Sequence, residues 1–235
     1  MEGQITSESI RSRIEAVREK VGEALERSGR KPDEARILIA SKYYSMEQTA
    51  ALVEAGVDLL GENRSEDLIH KQEEFGDTFE WHFIGHLQRR KAKDVAPRVS
   101  LIHSVDSARL IGELQKRAPG DGTEVLLQVN VSGEDAKYGV GEQQVEELLE
   151  AAAQTDGSVR VRGFMTIAPQ VEQAEDVRYV FAKLREIRDR LRSSWSPNFD
   201  LSDLSMGMSG DYEIAVEEGA TLVRIGRTII QEDGP

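Results

Sequence analysis

Eight short apolar segments alternate along this chain with longer segments whose apolar residues recur at helical spacing. The short segments predict strands at residues 37–42, 57–60, 81–85, 101–103, 124–131, 159–166, 204–207 and 221–225. The first has four consecutive apolar residues, Ile37 to Ala40, which is typical of a parallel strand buried on both faces. Eight strands alternating with helices in 235 residues favour an α/β fold, a single (β/α)8 TIM barrel, over an open sheet.

The segments between these strands predict helices at residues 45–55, 64–75, 88–95, 107–118, 142–154, 171–192 and 211–218. An extra helix at residues 9–28 precedes the first strand, and we expect it to cover one end of the barrel. No Pro-rich or Ser-rich linker divides the chain, so residues 1–235 are predicted to form one domain.

The composition excludes several classes of function. The chain has no cysteine, which rules out disulfides, thiolate metal sites and a thiol nucleophile. A formal net charge of −13 argues against a nucleic-acid partner. The polar N-terminus and the lack of a long apolar segment predict a cytoplasmic protein that has no membrane partner.

Lys42 lies at the end of the first predicted strand. Ser45 and Gln48 form a capping-box pattern that starts the next helix, so Lys42 falls where strand passes to helix. Ligands of α/β folds bind at that carboxyl end of the sheet. We expect partial burial there to favour a neutral amine able to form a Schiff base with an aldehyde. A solvated surface lysine is the alternative.

The segments after the last two strands indicate an anion site. Residues 206–211 combine two glycines, a hydroxyl and the start of a helix, and Gly226 and Thr228 follow the eighth strand. Barrels commonly bind phosphate in these two loops. A lysine and a phosphate site at the same end of a barrel suggest pyridoxal 5′-phosphate, an aldehyde that carries a phosphate.

Ordered motifs cover nearly the whole chain: ASK (40–42), GEN (61–63), HFIGHLQ (82–88), QVNVS (128–132), KYG (137–139), GFMTIA (163–168), LSMGMS (204–209) and VRIG (223–226). With these motifs the sequence resembles the YggS/PROSC family of pyridoxal phosphate homeostasis proteins. The resemblance implies a barrel like the N-terminal domain of alanine racemase. It also implies storage or delivery of the cofactor without turnover.

The resemblance assigns a role to each candidate residue. It implies that Lys42 forms the Schiff base and that Arg224 faces the pyridine nitrogen. The other implied cofactor-binding residues are Ser209 and Gly226 with Ser205 and Thr228 at the phosphate, Asn63 and His82 lining the pocket, and Met208 in the LSMGMS motif. Lys137 also recurs in the family pattern, and a flexible loop lysine is the simpler interpretation of it than a transient cofactor contact. Arg227 stands where the family usually has a small hydroxyl residue, and Arg90 where asparagine is common.

Two other functions remain open. A pyridoxal-phosphate-dependent amino-acid racemase is the first. Alanine racemases use a tyrosine as their second acid–base group, and that tyrosine comes from an additional domain. The second is a regulatory module that binds partner proteins. For the carrier itself, we expect a monomer whose partners are pyridoxal-phosphate-dependent apoenzymes. His82 and His86 have the i, i+4 spacing of zinc ligands, but they lie on a predicted strand and loop, so we interpret them as structural.

Overall fold

A computed structural model describes residues 6–134 and 138–230. Its strands are β1 (Arg36–Ala40), β2 (Leu59–Glu62), β3 (Glu80–Phe83), β4 (Leu101–Val105), β5 (Thr123–Gln128), β6 (Val159–Met165), β7 (Asp203–Met208) and β8 (Leu222–Ile225). Its α-helices are α1 (Ser7–Arg27), α2 (Met46–Glu54), α3 (Ser65–Phe75), α4 (Ala92–Val95), α5 (Ala108–Arg117), α6 (Val145–Ala153), α7 (Arg178–Trp195) and α8 (Tyr212–Glu217).

The strands form a closed parallel barrel in chain order, which confirms the predicted fold. Closure is made by β1 and β8, where Leu38 is paired with Arg224 and Ile39 with Ile225. Because the strands are parallel, their carboxyl ends meet at one end of the barrel, which we call the mouth. Across the described residues, no helix combines the length and apolar character needed to cross a lipid bilayer.

Two apolar layers hold the barrel together. Inside it lie Leu38, Leu59, Leu101, Leu126, Met165 and Leu222, and a larger cluster fills the space between the strands and the helices. The alternation is clear on β8, where Leu222 belongs to the interior layer, whereas Val223 and Ile225 belong to the outer one. Full burial of each such side chain stabilises the fold by about 1.5–3 kcal/mol.

Helix α1 begins after Thr6, whose hydroxyl accepts a hydrogen bond from the Ser9 N–H. Its apolar stripe, which includes Ile10, Ile14 and Val17, is buried. The helix packs against α8 and α2, so it lies along the outer helical layer and does not cover an end of the barrel as the sequence suggested. The capping box of α2 is present as predicted.

Several predicted elements have different bounds in the structure; α7, for example, begins at Arg178, seven residues after the predicted start. β2 begins two residues later than expected and includes Gly61 and Glu62, because pairing with β1 sets its register. The basic helix predicted at residues 88–95 is reduced to a 3₁₀ turn and the single turn α4. α4 ends at Val95 as predicted, shortly before Pro97, which has no N–H to continue the helical hydrogen bonds, and the difference lies at its start, where residues 89–91 form the 3₁₀ turn.

A close approach between β6 and β7 predicts a cost for one glycine substitution. A Cβ at Gly163 would overlap the backbone carbonyl of Asp203, whereas a Cβ at Gly112 in α5 would meet nothing within 4 Å. Gly163→Ala should therefore lower the free energy of unfolding by about 1–3 kcal/mol. Gly112→Ala, the matched control, should raise it by about 0.5–1 kcal/mol. Urea denaturation measures both, and equal effects would contradict the close approach.

Candidate functional site

Lys42 lies in the turn that follows β1, at the mouth of the barrel. Its Nζ is 4.6 Å from the centre of the Tyr43 ring, and the Arg227 guanidinium lies over the same ring at 5.4 Å. A hydrogen bond with Lys42 lowers the pKa of Tyr43 below its ordinary value. The Lys42 side chain is exposed, so the partial burial expected from its strand-end position is not found.

A buried ion pair supports the residue before Lys42. Lys71 on α3 and Glu62 at the end of β2 are joined by an Nζ–Oε1 contact of 2.6 Å, and their side chains are 6% and 0% exposed. Lys71 also donates to the Ser41 carbonyl at 2.7 Å, and the Ser41 hydroxyl donates to Glu62 at 2.6 Å. Lys71 and Glu62 thereby fix the carbonyl and the hydroxyl of Ser41, the residue that precedes Lys42. Our sequence reasoning missed Lys71, although it lies one helical turn after the buried Leu68.

The turn after β1 is also tied to the loop after β8. Tyr44 is buried, and its hydroxyl donates to the Gly226 carbonyl at 3.1 Å. Burial raises the pKa of Tyr44 above its ordinary value, so the hydroxyl keeps its proton at neutral pH. This hydrogen bond brings the loop of Gly226 and Thr228 next to that of Lys42.

The loops after β7 and β8 share a cavity of about 420 Å³, whose lining includes Ser209, Gly210, Thr228 and Lys20 of α1. Both hydroxyl residues are exposed. Within the β7 loop, the Met208 N–H donates to the Asp211 carboxylate at 2.6 Å, and burial raises the pKa of that carboxyl. Since α8 has only six residues, its N-terminus adds little, and the donors that an anion would meet here are hydroxyls, backbone N–H groups and the cations Lys20 and Arg27.

Arg224 on β8 is a buried cation, 5% exposed, inside the barrel. Its Nη1 donates to the Ser205 hydroxyl at 2.6 Å and its Nη2 to the Thr166 carbonyl at 2.9 Å. Burial lowers the pKa of Arg224 to about 10, so the guanidinium stays protonated at neutral pH. Arginine carries five N–H donors. The two bonds within the described residues therefore leave donors for a ligand.

The structure changes the roles expected of two residues. Ser205 is fully buried, and its hydroxyl contacts Arg224 and His103. It therefore supports Arg224 and is not part of the lining of the cavity between the β7 and β8 loops. His82 is also buried and lines a different cavity of about 330 Å³ at the amino end of the barrel, with Glu80. Its side chain faces the amino end of the barrel, where Nε2 lies 3.0 Å from Glu80.

The remaining candidates are divided between the mouth and the undescribed part. Asn63 follows β2 at the mouth, and its Oδ1 is buried without a hydrogen-bond partner among the described residues. Lys137 lies outside the described residues.

His86 contacts Asp106 at 3.5 Å and stacks on Tyr138, whereas His82 bonds to His103 at 2.9 Å. The two histidines therefore do not share a ligand site.

Residues 12–231 match the family model for the alanine racemase N-terminal domain. A pyridoxal phosphate homeostasis protein of Aquifex aeolicus is 44% identical over 223 residues, which cover 94% of this chain and 96% of that protein. The protein of the same name from Escherichia coli K12 is 35% identical over 230 residues, 94% and 95% of the two chains. The chain belongs to the family of pyridoxal phosphate homeostasis proteins.

Solved structures agree with the family assignment. PipY of Synechococcus elongatus, solved with pyridoxal phosphate bound, is 31% identical and superposes with a TM-score of 0.77 over 90% of this chain and 100% of that one. PipY without the cofactor gives 0.83 at 30% identity, over 94% and 100%. Alanine racemase of Corynebacterium glutamicum gives 0.70 at 12% identity and covers 96% of this chain but 60% of its own, which shows the fold alone.

The buried ion pair beneath Lys42 generates a stability prediction for this family member. Lys71→Met would leave Glu62 charged and unpaired in the interior, so the free energy of unfolding should fall by about 3–5 kcal/mol. The double variant Glu62→Gln/Lys71→Met should recover part of that loss, because no charge remains buried. Urea denaturation of the three proteins measures the effect.

The matched control for Lys71→Met is Lys91→Met. Lys91 pairs with Glu66 at the surface, where the two side chains are 29% and 65% exposed. Exposed pairs contribute about 0–1 kcal/mol. A Lys71→Met effect as small as that of Lys91→Met would show that Lys71 does not hold the turn of Lys42.

Proposed function

We propose that this chain binds pyridoxal 5′-phosphate at the mouth of the barrel, through a Schiff base with Lys42. It serves cofactor homeostasis by storing and delivering pyridoxal phosphate, without turning over amino acids itself. One observation carries the proposal: barrel closure gathers an exposed lysine, a hydroxyl-lined cavity and a buried arginine around one mouth. The PipY structure with pyridoxal phosphate bound supports it.

The residues at the mouth fit the parts of this cofactor. The Lys42 amine is exposed, so it can add to the aldehyde carbon, lose water and leave a C=N bond. Ser209, Thr228 and the backbone N–H of Gly226 offer donors to the phosphate beside a cavity of about 420 Å³. Asn63 has an unpartnered oxygen that can accept from the bound molecule.

Arg224 and Tyr43 explain why we expect no turnover. A protonated arginine facing the pyridine nitrogen donates to an unprotonated ring, and such a ring is a poor sink for the electrons of a carbanion. Racemisation also needs two acid–base groups on opposite faces of the substrate. The Tyr43 ring lies directly beside Lys42, with Nζ 4.6 Å from the ring centre, so these two groups stand together and do not face each other across a substrate.

Delivery requires a mouth that a recipient can reach. Exposed apolar side chains stand on loops after strands that end there: Tyr43 is 52% exposed, Tyr138 61% and Ile167 39%. Pyridoxal-phosphate-dependent apoenzymes are the recipients that this function implies. The chain would act as a cytoplasmic monomer, and light scattering of the purified protein tests the oligomeric state.

Borohydride trapping tests the role of Lys42. Reduction of the loaded protein should fix the cofactor on the peptide that contains Lys42, because only a C=N bond is reduced to a stable amine. Lys42→Ala should lose the covalent label, whereas Lys116→Ala, an exposed lysine at the end of α5, should keep it. Peptide mapping by mass spectrometry reads both, and a label on another lysine would contradict the assignment.

A second measurement separates the carrier from a racemase. With alanine, serine or glutamate, the loaded protein should exchange the α-proton in D₂O and racemise more slowly than about 1 s⁻¹, the lower end of usual enzyme rates. The reason is that each missing acid–base group costs about 10²–10⁴-fold. NMR and chiral chromatography measure the two rates, and faster turnover would favour the racemase.

A further inference from the structure

Five polar side chains form an unbroken row of hydrogen bonds through the barrel interior, which we call the interior relay. From the mouth downward, the distances are 2.6 Å from Arg224 to Ser205 and 2.8 Å from Ser205 to His103 Nδ1. The next are 2.9 Å from His103 Nε2 to His82 Nδ1 and 3.0 Å from His82 Nε2 to Glu80. The relay crosses from β8 to β7, β4 and β3, so only tertiary structure assembles it.

The two ends of the relay favour one direction. Arginine can only donate hydrogen bonds and a carboxylate can only accept them. Ser205 accepts from Arg224 and has one hydrogen to give; when it donates that hydrogen to His103 Nδ1, His103 carries its proton on Nε2. His103 then donates to His82 Nδ1, and His82 donates from Nε2 to Glu80. Every donor and acceptor is satisfied when both histidines are neutral.

The surroundings favour this arrangement. Ser205 and His103 are fully buried, and His82 is 2% exposed. Burial, the largest cause, holds the pKa of His103 well below its ordinary value. At the amino end, the hydrogen bond from His82 and a 2.7 Å contact with Arg36 hold the pKa of Glu80 well below its usual range. Glu80 is thus a permanent acceptor.

We propose that the interior relay runs in one direction, from Arg224 to Glu80, and that His103 and His82 are positioning residues for Arg224. By fixing the Ser205 hydroxyl as an acceptor, they hold the guanidinium in place so that its remaining donors meet the pyridine nitrogen. That last role rests on the proposed function, whereas the direction of the relay is a property of the protein without cofactor.

The direction is tested first in the cofactor-free protein. ¹⁵N-labelled histidine side chains, assigned by substituting His70, His82, His86 and His103 in turn, report which ring nitrogen is protonated. At neutral pH, His82 and His103 should both carry the proton on Nε2, with a coupling across the bond between His103 Nε2 and His82 Nδ1. An Nδ1–H form at either residue, or a charged His82, would overturn the proposal.

Propagation along the relay distinguishes a directed row from two buried histidines. In Glu80→Gln, the amide can turn its NH₂ toward His82, which permits the opposite direction, so a second tautomer should appear at His103. Glu124→Gln is the matched control, because Glu124 lines the same cavity but takes no part in the relay. Unchanged His103 signals in Glu80→Gln, or equal changes in both variants, would overturn the direction.

The positioning role is tested with the cofactor. Ser205→Ala removes the acceptor of Arg224 without touching the mouth, so the Kd for pyridoxal phosphate should rise about tenfold, the equivalent of one hydrogen bond. Glu124→Gln should leave the Kd unchanged. An unchanged Kd in Ser205→Ala would overturn the positioning role. Failure of the wild-type protein to bind pyridoxal phosphate would instead overturn the proposed function, since the histidine tautomers are read without cofactor.

Discussion

The pairing of β1 with β8 is the constraint on which the candidate site depends. These strands lie at opposite ends of the barrel sequence, and only closure places Leu38 beside Arg224 and Ile39 beside Ile225. Closure also puts the turn of Lys42 next to the loop of Gly226, where the Tyr44 hydroxyl joins them. In an open sheet the two strands would be separate edges, and Lys42 would be far from the loop of Gly226.

A second constraint is the polarity of the barrel interior. Six apolar side chains fill much of it, yet Arg224 is buried among them, and its hydrogen-bond partners within the described residues are a hydroxyl and a carbonyl instead of a carboxylate. An isolated buried charge is costly unless its donors are satisfied. Here a hydroxyl and a backbone carbonyl satisfy two of them. The interior relay then leads to the carboxylate of Glu80 at the other end of the barrel. The need to bury this cation explains why hydroxyl and imidazole groups occupy an otherwise leucine-rich barrel.

The mouth combines rigid support with an exposed reactive group. The Lys71–Glu62 pair and the Tyr44 hydroxyl fix the backbone on either side of Lys42, while its amine stays in solvent. Such an arrangement suits the proposed carrier, because water and a recipient protein could both reach a cofactor bound to Lys42. A racemase needs the opposite, a closed site from which water is excluded.

The sequence by itself determined the alternation of strands and helices, and therefore the barrel, because hydrophobic periodicity is a local signal. It also placed Lys42, Asn63, Ser209 and Thr228 at strand ends, since position along a strand is set by the same pattern. Only the tertiary structure decided that Lys42 is exposed, that Ser205 supports Arg224, and that His82 faces the amino end of the barrel. Each of these depends on which side chains from distant strands fill the interior, where His103 of β4 and Arg224 of β8 both contact Ser205 of β7.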